Sequence, residues 1–139
     1  MSDEQQRLAG EIADKLIAKE VSIQDAMWGD ANERADSTRN QLIVAGSAQI
    51  VVAMGKIAGV SGDDAVAFAK PYYPSDWNGL RDYGSNVANL VVAAAFIRSE
   101  IKRRILLGED ITRTKRGEAY KGPDMPYVSS AEVIAGRSE

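Results

Sequence analysis

The chain has 139 residues, a formal charge of −3, 45% hydrophobic and 27% charged side chains, and neither Cys nor His. That length suits one domain with a real core, and the balance excludes a fully disordered chain. It also excludes a disulfide framework, thiolate or imidazole zinc sites, and any Cys or His nucleophile or base, so a metal would be a hard ion such as Mg²⁺ held by carboxylates.

In chain order, the first helix is expected over residues 4 to about 28. Leu8, Ile12, Leu16, Ile23 and Met27 line one side, with Glu4, Glu11, Lys15, Lys19 and Glu20 mostly on the other. The polar opening MSDEQQRLAG is not a secretory leader. Trp28 to Ser37, WGDANERADS, breaks the pattern with Gly29 and a cluster of charge. A second helix follows over 37 to 59, capped by Asp36 or Ser37 and ended by Gly59, with Ile43, Ile50, Val51, Met54, Ile57 and Ala58 as its stripe. Gly46, Ser47, Ala48 and Ala53 are small enough to let another helix approach closely. Ser61 and Asp64 have the spacing of a capping box for a short third helix from Asp63 to about Lys70. Pro71 to Pro74, PYYP, is a stiff aromatic corner.

The stretch Ser75 to Gly108 carries apolar residues at Val87, Leu90, Val91, Ala94, Ile97, Ile101 and Ile105, with a second line at Val92, Ala95, Phe96 and Leu106. It predicts one helix, capped by Ser75 and closed by Gly108, about 50 Å long at ~1.5 Å per residue. Lys102, Arg103 and Arg104 suit its C-terminal end. Its run LVVAAAFI is too short to cross a bilayer. The fold class is therefore all-α. It is a helical bundle of two long helices and one short helix over 1–108, with an irregular tail over 109–139, completed by self-association into a homo-oligomer because the central helix has more apolar perimeter than one chain can cover. A monomer whose tail covers the surplus is the alternative.

Three sets of residues could carry chemistry. The first is the polar linker Trp28, Asp30, Asn32, Glu33, Arg34, Asp36, Arg39 and Asn40. Glu33 and Asp36 stand three apart, a spacing that aims both carboxylates at one hard ion, although acidic residues before a helix also serve as caps. The second is Arg81, Asp82, Tyr83, Asn86 and Asn89. The two Asn can bond a base edge or a sugar, and Tyr83, with Tyr72, Tyr73 and Trp77 nearby, can stack; an interhelical polar contact is the plainer alternative. The third is basic: Arg98, Lys102, Arg103, Arg104, Arg113, Lys115 and Arg116, seven of the 17 basic residues within 19 positions. It reads as a phosphate site or as a solvated helix end. Tyr83 and Arg98 are far apart on one long helix, so a nucleotide would be shared between antiparallel subunits.

QDAMWGDANE, from Gln24 to Glu33, followed by a helix and then by RDYGSNVANLVVAAAFI, resembles small phage-encoded MazG-like nucleotide pyrophosphohydrolase-type proteins over residues 12 to 105. The resemblance implies an all-α oligomer binding nucleoside triphosphates through Mg²⁺ on ExxE and ExxD carboxylates. No acidic residue stands between Gln41 and Gly62, so those ligands have no counterpart in this helix, and Trp28, Asp30 and Asn32 are the residues that transfer.

The function expected is that of a phage-type cytoplasmic protein, working in the host cytoplasm, that binds a nucleotide or another phosphorylated small molecule. It would sequester its ligand or hydrolyse it with Mg²⁺ on Glu33, Asp36 and Asp82. The rival class is a non-enzymatic structural or protein-interaction module, such as an assembly or host-takeover factor. No membrane partner is expected, and the acidic charge with no groove-reading motif argues against nucleic acid.

Overall fold

The computed structural model describes residues 1–29 and 40–110, and every regular element among them is helical. Helix α1 is Asp3–Trp28, α2 is Gln41–Ile57, α3 is Gly62–Ala69 and α4 is Asn86–Leu106, with one 3-10 turn at Lys70–Tyr72. The described helices are thus three long and one short. The chain divides into two compact units, Met1–Glu100 and Ile101–Glu139, and the boundary falls inside α4. No described helix is long and apolar enough to cross a membrane. Helix α2 starts after Asn40, which stands at its cap position without a side-chain cap bond, in place of the expected Asp36 or Ser37; those two residues and the tail beyond Asp110 lie outside the described residues.

Local signals set the ends. Ser2 and Gln5 form a reciprocal capping box at the start of α1. Ser61 Oγ accepts from the Asp64 amide at the start of α3. The Gly108 amide donates to Ile105 at the end of α4.

The long helix expected from Ser75 is corrected to a 21-residue helix that begins at Asn86. Residues 73–85 form a loop instead. Gly84 has φ +100°, which only glycine adopts freely. The Gly84 amide donates to Asp82 Oδ1, and Ser85 Oγ accepts from the Ala88 amide, so Ser85 is the true cap. Short polar side chains here give the backbone better partners than a helical turn would.

The second correction concerns faces. In α1, Leu8, Ile12, Leu16, Ile23 and Met27 are all exposed, whereas Val21 and Gln24 are buried. In α2 the buried residues are Gln41, Leu42, Ala45, Gly46, Ala48, Gln49, Val52 and Ala53, and Met54 and Ile57 face solvent. In α4 three of the four residues of the second apolar line turn inward: Val92, Ala95 and Phe96 are buried with Asn89 and Ser99, while Leu106 of that line is exposed, as are Val87 and Leu90. Close approach explains the choice. A Cβ at Gly46 would lie 3.3 Å from Phe96 Cβ and 3.2 Å from Ile97 Cγ1, so α2 and α4 cross with almost no side chain between them. Small residues face in because near backbones bring more atoms into dispersion contact, and bulkier ones move to the rim.

Two clusters form the core. Leu42, Ala45, Val92 and Phe96 pack with Tyr73, Trp77 and Tyr83 on one side, and Ala48, Val52, Ala65 and Ala69 pack with Tyr73 and Leu80 on the other. Tyr73 belongs to both, so the loop after the 3-10 turn is anchored where the helices meet.

Candidate functional site

The 73–85 loop builds two things, a polar staple and an aromatic pocket. The staple centres on Asn89, which is fully buried on α4. Its Oδ1 accepts from the Tyr83 amide at 2.8 Å and from Gln49 Nε2 at 3.2 Å, and its Nδ2 donates to Asp82 Oδ1 at 3.0 Å. Gln49, buried on α2, also donates to the Arg81 carbonyl at 2.9 Å. Lys56 Nζ lies 3.1 Å from Asp82 Oδ2. The Asn89 amide, the Gly84 N–H and the Lys56 ammonium together hold the Asp82 carboxyl down to about 2. Asn89, for which the sequence offered a base edge or an interhelical polar contact, makes the latter with Gln49, and it and Asp82, offered as a metal group, are engaged in fastening the loop to α2 and α4.

The pocket, of about 280 Å³, is lined by Trp28, Tyr73, Asp76, Trp77, Asn78 and Gly79. Trp28, the last residue of α1, stacks on Phe96 with ring centroids 6.5 Å apart and planes 15° apart. Trp77 tilts against the same Phe96 at 6.1 Å and meets Tyr73 edge-on at 6.3 Å. Phe96 is therefore the floor on which two indoles rest. The Tyr73 hydroxyl accepts from the Gly79 amide at 3.0 Å, and burial pushes that phenol above its ordinary range. The Asp76 carboxylate is held by Gln41 Nε2 at 3.2 and 3.3 Å. Beside the pocket, the Tyr83 hydroxyl donates to the Gly79 carbonyl at 2.8 Å, and the Arg81 guanidinium lies 5.7 Å from the centre of the Tyr83 ring. Burial raises the Tyr83 phenol too, with Arg81 opposing it.

The structure brings together Trp28 and Trp77, 49 residues apart, and places Arg81 and Tyr83 on the same loop as the second of them. Tyr83 precedes α4, so distance along one helix no longer separates it from Arg98. Asn86 is exposed at the first position of α4, and Arg98 is exposed and does not line the pocket. Within the second unit Lys102 is exposed, Arg103 is buried and Arg104 pairs with Glu109 at 3.1 Å, so the basic run is not one solvated face. Asp30, Asn32, Glu33, Asp36 and Arg39 lie outside the described residues. Among the described residues no three acidic side chains are grouped as a metal site would need. Tyr73, named from the sequence as a possible stacking ring, is a pocket wall, whereas the wall residue Asp76 was not singled out, although PYYPSDWNG, with two Pro and three aromatic residues in nine positions, carried the signal. No family model, curated protein or solved structure matches this chain.

Proposed function

We propose that the protein is a non-catalytic binder of a nucleotide or nucleotide-derived signal, and that the base enters the pocket between α1 and the 73–85 loop. The observation that carries the reading is the lining itself, two indoles and a phenol around an opening that also holds a carboxylate and an amide. Aromatic faces stack on any flat ring, and base stacking is worth about 1–3 kcal/mol. Asp76 accepts hydrogen bonds, which suits a base whose edge offers paired N–H donors, as guanine does. Size supports a single ring system. Pockets for whole small molecules run from roughly 300 to 1,000 Å³, and this one is about 280 Å³. Sugar and phosphates would therefore stay outside, where Arg81 on the same loop supplies a cation.

Sequestration is favoured over MazG-like hydrolysis because Asp82 is paired with Lys56 and belongs to no group of three described acidic side chains. A cysteine-free chain that captures a nucleotide fits the reducing cytoplasm, that of an infected host if the chain is phage-encoded. Calorimetry with guanosine, adenosine and uridine monophosphates is the test. Guanosine monophosphate should bind most tightly, Trp77→Ala should weaken it at least tenfold, and Asp76→Asn should erase the preference among bases. Absence of heat with every nucleotide at millimolar concentration refutes the reading.

A further inference from the structure

Independently of that pocket, helix α1 carries an unpartnered surface with a pattern that names its own partner. Every residue from Met1 to Leu16 is exposed, so more than half of this 26-residue helix buries none of its residues. A helical segment of that length is marginal in water without tertiary packing. Its outward stripe of Leu8, Ile12, Leu16 and Ile23 lies opposite the buried Val21 and Gln24, and Ile12 is 56% exposed. The stripe continues into a groove that Leu16 and Ile23 form with Val87 and Val91 of α4, where Val87 is 60% exposed.

The charges beside the stripe are ordered. At about 100° per residue, Glu4, Glu11 and Lys15 fall along one edge of the stripe rather than on its opposite side, and Lys19 falls between Leu8 and Ile12, so the order is acidic in the N-terminal half and basic in the C-terminal half. Arg7 bridges Glu4 and Glu11 and holds both in place, whereas Lys15 and Lys19 make no ion pair within the described chain. In an antiparallel helix pair the same edge of each helix faces its counterpart. A two-fold axis at Ile12 sets Leu8 level with the partner's Leu16, Glu4 one residue from level with the partner's Lys19 and Glu11 two residues from level with the partner's Lys15, offsets that long side chains can span. It also lays the N-terminal turns of each chain in the other's groove.

We infer that α1 is the interface of a homodimer, paired antiparallel with α1 of a second copy. The pairing is isologous, and it supplies each exposed N-terminal half with the surface that its own chain does not.

The experiment is analytical ultracentrifugation of the full chain with its edge charges exchanged. The wild type should sediment at twice the 15.0 kDa chain mass at about 100 µM and dissociate on dilution. Lys15→Glu with Lys19→Glu makes the edge wholly acidic, and Glu4→Lys with Glu11→Lys makes it wholly basic. Each double variant alone should dissociate at least tenfold more readily, and an equimolar mixture should recover the dimer, because only antiparallel edges then meet as opposites. Ile12→Glu should give a monomer. A monomeric wild type would mean that this face is covered by residues 111–139 or by a different protein, and overturns the inference. So does a mixture that fails to recover, or an Ile12→Glu chain that still pairs as the wild type does.

Discussion

Asn89 Nδ2 donates to Asp82 Oδ1 across 3.0 Å, and that bond ties the loop that builds the pocket to the inner face of α4. The same amide accepts from the Tyr83 N–H and from Gln49. Asn89→Ala removes all three bonds at a fully buried position and leaves the Tyr83 N–H without that acceptor. An unmet buried polar group costs about 1–3 kcal/mol, so the substitution should lower stability by roughly 2–4 kcal/mol. Urea denaturation checks this, and a loss under about 0.5 kcal/mol would show that the staple is dispensable.

Asp82 also gives the protein an acid limit. Its folded-state pKa, about 2, lies below the ordinary value of 3.8. Depression by the fold means that the ionised form stabilises the native state. That contribution is fully present above pH 3.8 and is lost as the pH falls through the window from 3.8 to about 2. Melting temperatures of the wild type and Asp82→Asn should differ near neutrality and converge across that window. A gap that stays constant down to pH 2 would assign the difference to packing.

The Asp82 carboxylate also stands against Gly62, the first residue of α3, where an added Cβ would collide with Oδ2. Gly62→Ala should therefore destabilise by about 1–2 kcal/mol, through overpacking that outweighs the better helix propensity of Ala. The cost should largely disappear in an Asp82→Ala background. A double-mutant cycle reads that coupling directly, and additive costs would place the strain elsewhere.

Tyr73→Phe keeps the ring that joins both core clusters and deletes the acceptor of the Gly79 amide. The expected loss is about 1 kcal/mol in denaturation. Amide hydrogen exchange at Gly79 should accelerate while exchange in α2 stays as it was; uniform acceleration would mean that the bond holds the whole core rather than the pocket wall.

The helices could be read from their periods and caps, and α1, α2 and α3 begin and end within a few residues of expectation. Their inward faces could not. A period fixes an angle between residues, not which of two apolar lines turns inward. Asn89, Gln49 and Gln24 are buried among apolar residues, and an apolar period alone does not place such amides inside. The 75–85 loop was hidden for a related reason. Its decisive interactions are local, Asp82 to Gly84 and Ser85 to Ala88, yet they gain their hold from Asn89, Gln49 and Lys56, which only the folded chain brings near. Trp28 and Trp77 were legible as ligand-contacting types, but their meeting over Phe96 was not.

That meeting makes the molecule its own reporter. The chain has two tryptophans, and both rest on Phe96 at one end of α1. Intrinsic emission thus samples a single corner, whereas far-ultraviolet circular dichroism counts every helical turn, including the exposed run from Asp3 to Leu16 at the far end of α1. The two optical signals watch different parts of the protein. Heating followed by both would show whether those N-terminal turns melt ahead of the corner or together with it, and so whether the chain loses its order in one step or in two.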